Sequence, residues 1–128
     1  MTKPTAPPAL HELERDVMEA VWQCGQASVR EVMEVVNGLG DKRRAYTTYM
    51  TIMARLHRKG LLHRRREGNT DYYAPVHTRD EYMGLRAESE VASLVEEYGD
   101  VALSHFAQQM AALDPARRRA LQRQARKP

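Results

Sequence analysis

The chain has almost no cysteine. Cys24 is the only one in 128 residues, which excludes an internal disulfide and any Cys-rich zinc or copper site and fits a reducing compartment. Its expected place is as a small apolar residue packed near the end of the first helix. Large aromatic volume is also scarce, with one Trp and one Phe, although the hydrophobic fraction of 42% supports a core. No apolar run approaches the length of a membrane span, and the N-terminus lacks the apolar region of a signal peptide. The expectation is a cytoplasmic protein without membrane insertion. The histidines, His11, His57, His63, His77 and His105, are dispersed, and none forms a His-Glu-x-x-His spacing. No phosphate-cradling glycine loop or nucleophile motif is present, so no enzyme, catalytic residue, cofactor or metal site is expected. One further absence is local. From Lys42 to Arg66 there is no Asp or Glu, yet nine residues are Lys or Arg. The whole chain holds 20 basic and 17 acidic residues, and its net charge of +3 therefore understates a one-sided field. Such a stripe is the electrostatic footprint of a polyanion. A membrane surface would also want Trp or Phe and a large apolar face beside the charge, and this stretch contains no Trp or Phe.

Inside that stripe, Arg44 to Gly60 reads as a helix with two incompatible faces. At roughly 100° per residue, Tyr49, Ile52, Met53 and Leu56 fall on one side, while Arg44, Thr47, Thr48, Thr51, Arg55 and Arg58 share an arc of about 100° on the other. The first face needs a core. The second is unusual for helix surface, because threonine loses χ1 freedom in a helix and competes for backbone hydrogen bonds. Short hydroxyl side chains flanked by arginines suit a nucleic-acid groove, where Thr offers a donor, an acceptor and a methyl and Arg reaches guanine edges or phosphate. The alternative is an ordinary solvated helix face.

At this length the chain is one domain, or one small domain with an oligomerisation appendage. Residues 1–9, with Pro4, Pro7 and Pro8, read as a flexible arm. A helix follows from about Leu10 to Cys24, with Leu13, Val17, Ala20 and Val21 in helical spacing and Gly25 as its stop. Trp22 lies off that stripe, to cap the core or to face a partner. Ser28-Val-Arg-Glu31 is a capping box, and the second helix runs through Val32, Met33 and Val36 to about Gly38. A basic turn then leads into the third helix, which is helix-turn-helix syntax. After Gly60 the period changes. Leu61 to Glu67 and Thr70 to Pro75 read as two strands joined by Gly68-Asn69, a β-hairpin or wing. Arg64, Arg65 and Arg66 on its first strand would meet the phosphate backbone or the minor groove, unless they merely protect a solvated edge strand.

Thr78-Arg-Asp-Glu81 is a second capping box and opens a long helix to about Tyr98, ended by Gly99. Another helix carries Val101, Leu103, Phe106, Met110 and Leu113. Asp114-Pro115 then supplies an N-cap and an N1 proline for a last, very basic segment. These helices have apolar faces but no evident body to bury them, so a partner chain is expected to cover Val91, Leu94, Val95, Tyr98, Leu103, Phe106, Met110 and Leu113. Folding back on the winged domain is the alternative. The organisation read from the chain is an arm (1–9), a winged-helix DNA-binding domain (10–77) and a helical dimerisation region with a basic tail (78–128). The class is mainly α (α+β), a winged helix-turn-helix domain with C-terminal dimerisation helices.

From about Leu10 to Met110 the chain resembles the penicillinase-repressor (BlaI/MecI-like) family of winged-helix regulators. The resemblance is carried by Leu13-Glu-Arg-Asp-Val-Met18 with Val21-Trp22, by Ala45-Tyr-Thr-Thr-Tyr-Met-Thr-Ile-Met-Ala-Arg-Leu56 with Lys59-Gly-Leu61, and by Tyr72-Tyr-Ala-Pro-Val76. It implies a homodimer whose winged domains read two halves of a palindromic operator in double-stranded DNA, paired through the C-terminal helices. It also implies derepression when a membrane sensor protease triggers cleavage, and target genes for β-lactamase or related cell-envelope functions, hence antibiotic resistance. Tyr49 stands where the family usually has Val. The Asn-Phe bond cut in family members is matched here by His105-Phe106, and the cysteine cluster of copper-responsive relatives is missing.

The leading reading is thus a sequence-specific repressor. Its candidate DNA contacts are Arg43, Arg44, Thr47, Thr48, Thr51, Arg55 and Arg58 from the turn and helix, and Arg64, Arg65 and Arg66 from the wing. Release is expected through loss of the dimer, with cleavage at His105-Phe106 as one route. The competing reading is a winged-helix protein that binds nucleic acid without sequence preference or serves as a protein-interaction module.

Overall fold

The computed structural model describes residues 6–126, as α1 (Glu12–Cys24), β1 (Ala27–Ser28), α2 (Val29–Leu39), α3 (Tyr46–Arg58), β2 (Leu62–Glu67), β3 (Thr70–Pro75), α4 (Arg79–Tyr98), α5 (Asp100–Ala111) and α6 (Pro115–Ala125). Two compact units divide within α4, the first ending at Ala87 and the second beginning at Glu88.

The first unit is built on helical stripes. Val17, Met18 and Val21 of α1, Val32 and Val36 of α2, and Tyr49, Ile52, Met53 and Leu56 of α3 are buried together with Leu61, Leu62 and Tyr73. An isolated helix of 13 residues is marginal in water. Met53 and Leu56 are fully buried, each contributing about 1.5–3 kcal/mol, so the expected α3 stripe is what holds the helix. Cys24, by contrast, is exposed, not packed as its apolar character suggested. It is the last residue of α1, and the chain leaves the core there through Gly25, whose φ is 83°.

Local signals set the boundaries. Ser28 Oγ accepts the Glu31 N–H at 3.2 Å while Glu31 Oε1 accepts the Ser28 N–H at 2.9 Å, which starts α2. At the other end of α3, the Gly60 N–H reaches the His57 carbonyl and the Leu61 N–H the Leu56 carbonyl, both at 3.0 Å. This is a Schellman ending, with Gly60 at a φ of 80° and Leu61 stacked in the core beside Leu56. It turns the chain directly into β2.

The sheet has the order β1-β3-β2, antiparallel throughout. The hairpin of β2 and β3 is the expected wing, in register from Leu62 opposite Pro75 to Glu67 opposite Thr70. Its turn needs a positive φ only at Gly68 (61°), and Asn69 does not share it. The third strand is an addition to the sequence reading. Ala27 and Ser28 pair with Tyr73 and Tyr72, and two residues are too few to show a period of two.

The start of α4 belongs to the first unit. Thr78 and Glu81 form the expected capping box at 2.8 and 3.1 Å. Tyr82 is buried, packs against Trp22 with ring centroids 5.5 Å apart, and donates its hydroxyl to the Pro8 carbonyl at 2.7 Å. Burial pushes its phenol pKa up. Trp22 donates Nε1–H to the His77 carbonyl at 2.9 Å, so it closes the core and does not wait for a partner. Arg79 pairs with Glu19, and Arg86 donates to the Pro7 carbonyl at 3.0 Å. The arm expected to be free is therefore held at Pro7 and Pro8, because two carbonyls there meet donors of α4. Residues 1–5 lie outside the described residues.

The second unit has little interior of its own. Ala102 is its only buried residue among those described, while Val91, Leu94, Tyr98, Val101 and Leu103 are exposed. Gly99, at a φ of 59°, separates α4 from α5. Asp114 Oδ1 accepts the Arg117 N–H at 2.9 Å, and Pro115 follows at N1 of α6. Among the described residues no helix is long and apolar enough to cross a membrane.

Candidate nucleic-acid interface

The helix-turn-helix is fastened at one polar side chain. Asn37, near the end of α2, accepts the Arg44 N–H at 3.1 Å and donates to the Arg44 carbonyl at 3.0 Å. Its amide oxygen also accepts the Tyr49 hydroxyl at 2.6 Å. The turn, α2 and α3 are thereby tied at one point, and the buried Tyr49 contributes the third bond. Arg44 is half-buried in the turn and does not lie on the helix, because α3 begins only at Tyr46. Arg43 is exposed beside it.

A second tie lies at the far end of α3. Glu14 is buried, 1% exposed. Its Oε1 accepts the His11 N–H at 3.0 Å and its Oε2 the Lys59 ammonium at 2.7 Å. Burial by itself raises the carboxyl pKa. The hydrogen bond and charge of Lys59, with the His11 amide, outweigh it and hold the group below the ordinary carboxylate value.

Between these ties α3 presents Thr47, Thr51, Arg55 and Arg58 fully to the outside, with Thr48 half-buried. Among the described residues, none of the three threonine hydroxyls is engaged in a hydrogen bond. Tyr46 and Met50 share this surface at 44% and 45% exposure. They escaped a reading that looked for polar side chains. The signal was there: an apolar i, i+4 pair that falls outside the core stripe. An open groove of about 560 Å³ runs between α3 and β2, lined by Met50, Thr51, Ala54, His57, Arg58 and Arg64. A second cleft of about 640 Å³ lies on the other side of Met50, between the starts of α2 and α3 and the wing tip.

The wing arginines are not equivalent. Alternation along a strand puts Arg64 and Arg66 on one face and Arg65 on the other. Arg65 donates to Glu67 at 2.7 Å and lies 5.3 Å from the Tyr72 ring centre, and Arg66 stands 3.7 Å from Asp71. Arg64 has no such partner among the described residues and lines the groove with α3. Of the nine basic residues from Lys42 to Arg66, Lys59, Arg65 and Arg66 are paired with acids at positions 14, 67 and 71. The other six have no acidic partner among the described residues.

The residues expected to pair chains lie in the second unit. Val91, Leu94, Tyr98 and Leu103 are exposed, and Val95, Phe106, Met110 and Leu113 are half-buried. His105 and Phe106 sit inside α5. Among the described residues no group of three or more His, Cys, Asp or Glu could hold a metal ion.

A helix-turn-helix with an exposed hydroxyl and arginine face, followed at once by a β-hairpin that brings one more arginine to the same groove, defines the winged-helix class of DNA-binding proteins. Residues 10–127 match the penicillinase repressor family. The transcriptional regulator BlaI of Mycobacterium tuberculosis, in strains CDC 1551 / Oshkosh and ATCC 25618 / H37Rv, is 37% identical over 115 residues, which is 88% of this chain and 82% of the relative. The solution structure of the DNA-binding domain of the repressor BlaI is 24% identical, covers 62% of this chain and 94% of its own, and superposes with a TM-score of 0.51, which shows the shared fold. The chain belongs to the penicillinase repressor family, whose members are transcriptional regulators and not enzymes.

Proposed function

We propose that the protein is a cytoplasmic homodimer that represses transcription by reading a palindromic operator, one half-site per winged domain. The observation that carries this reading is the α3–β2 face, where Thr51, Arg58 and Arg64 line one groove and the same helix exposes Thr47 and Arg55 beside them. Thr47, Thr48 and Thr51 would contact base edges together with Met50 and Tyr46, while Arg43, Arg44, Arg55, Arg58 and the wing supply phosphate contacts. The dimer is supported by the second unit. A set of helices with one buried residue and five exposed large apolar side chains, from Val91 to Leu103, gains most by packing against another copy.

Family membership supports β-lactamase or other cell-envelope genes as targets and a membrane sensor protease as the source of the signal. Release then follows from loss of the dimer, because each winged domain alone holds only half a site and the linkage gain, on the order of 100-fold or more, disappears. The test is to map the genomic sites bound by the tagged protein and to titrate the purified chain with a recovered site and its scrambled version. Specific repression requires a preference on the order of 1,000-fold or more at physiological salt. Equal affinity for the two would replace this reading with sequence-independent binding.

A further inference from the structure

The last helix carries a charge pattern that the winged domain does not explain. After Asp114 the sequence contains no acidic residue, but it has Arg117, Arg118, Arg119, Arg123, Arg126 and Lys127. These arginines do two different jobs. Arg118 folds back, donating to the Met110 carbonyl at 3.3 Å and the Leu113 carbonyl at 3.0 Å, and so closes the end of α5. Arg119, Arg123 and Arg126 are exposed, and no side-chain partner engages them among the described residues. With Gln122 they line a shallow concavity of about 390 Å³. At roughly 100° per residue these four positions fall within an arc of about 100°.

Such an arrangement costs the isolated helix something. Arg119 and Arg123 are like charges at i, i+4, which disfavour a helix, whereas a solvated helix ordinarily mixes signs along its surface. An anion with several phosphates relieves that repulsion, and guanidinium is the side chain that binds phosphate in a bidentate manner. A lipid surface is a poorer match. An interfacial helix needs Trp, Phe or Leu opposite its basic face, and here the opposite side carries Ala120, Leu121 and Ala125, interrupted by Arg117, Arg118 and Gln124.

We infer that the Arg119, Arg123 and Arg126 face of α6 is a second, sequence-independent binding surface for the phosphate backbone of duplex DNA. This rests on the DNA-binding reading above, which brings the chain to that polyanion. In this role α6 adds affinity and salt dependence but no sequence preference.

The test uses the full chain and a fluorescent duplex of random sequence, with binding measured by anisotropy across a salt series. Three variants are compared with the wild type: Arg119→Gln/Arg123→Gln/Arg126→Gln, the same positions changed to Lys, and Arg64→Ala in the wing. Gln and Lys are both good helix formers, and circular dichroism with light scattering checks that helicity and assembly state are kept. The Gln variant is expected to flatten the slope of log affinity against log salt by about two to three, and the Lys variant to restore it. An unchanged slope in the Gln variant, with Arg64→Ala still lowering it, overturns the α6 surface and leaves the winged domain as the DNA-binding element. No duplex binding by the wild type overturns both. If the Gln variant keeps its duplex slope but loses binding to phosphatidylglycerol vesicles, the partner is a membrane and the inference is wrong.

Discussion

The phenol of Tyr49 donates a 2.6 Å hydrogen bond to the side-chain oxygen of Asn37, the same atom that accepts the backbone N–H of Arg44. One amide thus ties the start of α3 to its turn. Asn37→Ala removes all three bonds and leaves a fully buried hydroxyl without its partner, so it should lower unfolding free energy by about 2–3 kcal/mol. Tyr49→Phe, which leaves the two Arg44 bonds, should cost about 1 kcal/mol. Urea denaturation of both variants checks the order; equal losses would mean that the Arg44 bonds contribute nothing.

Glu14 and Lys59 give a pH-dependent contribution. Because the folded Glu14 pKa lies below its ordinary value, its stabilisation is present above the unfolded pKa, about 4.3, and is lost as pH falls through the folded value. Glu14→Gln should therefore destabilise the protein by about 1–3 kcal/mol at pH 7. The gap to wild type should narrow at acidic pH. A gap that stays constant from pH 7 down to pH 3 would rule out an ionic contribution.

Thr51→Val preserves shape and removes an exposed hydroxyl. It should reduce the preference for operator over scrambled duplex by about 1 kcal/mol or more while leaving thermal stability unchanged. Thr48→Val should act in the same direction, but less, since that side chain is half-buried. Competition binding with the two duplexes gives the answer, and an unchanged preference would remove these threonines from base readout.

Arg64 and Arg65 are adjacent, and their effects should differ. Arg64→Ala should flatten the salt slope by about one charge. Arg65→Ala should flatten it less, because Glu67 already holds that guanidinium at 2.7 Å. Equal slopes would mean that DNA draws Arg65 away from Glu67.

Phe106→Asp places a carboxylate where the proposed dimer is apolar. It should weaken self-association by at least ten-fold, about 1.4 kcal/mol or more, and weaken operator binding although it lies outside the winged domain. Light scattering that shows an intact dimer would move the interface elsewhere. For the converse experiment, an isolated winged domain should end at Ala87 and not at residue 77, so that Tyr82 stays with Trp22 and Pro8.

Much of this was legible because the signals were local. The Tyr49, Ile52, Met53 and Leu56 stripe, the two Ser/Thr–Glu capping boxes and the glycine at the end of α3 each depend on residues within one or two turns. What stayed hidden depended on distance. Asn37 looks like an ordinary residue near a helix end until Arg44 and Tyr49 come to it. β1 exists only because β3 lies beside it. The run from Lys42 to Arg66 looked uniformly unpaired, since Glu14, Glu67 and Asp71 lie outside that window. Tyr46 and Met50 were passed over because apolar residues on a helix are ordinarily sought in the core.

The wing's own carboxylates have a consequence for how the protein searches. Glu67 and Asp71 act as tethered counterions for Arg65 and Arg66, so these two arginines release few free ions when they meet a phosphate. On the proposed reading, the attraction to arbitrary DNA should be lower than a count of arginines suggests and should decline less steeply as salt rises. A larger share of the total binding free energy would then fall to the proposed contacts of α3 with bases. In the proposed DNA complex, the hairpin would thereby shorten residence on wrong sequences without weakening the reading of the right one.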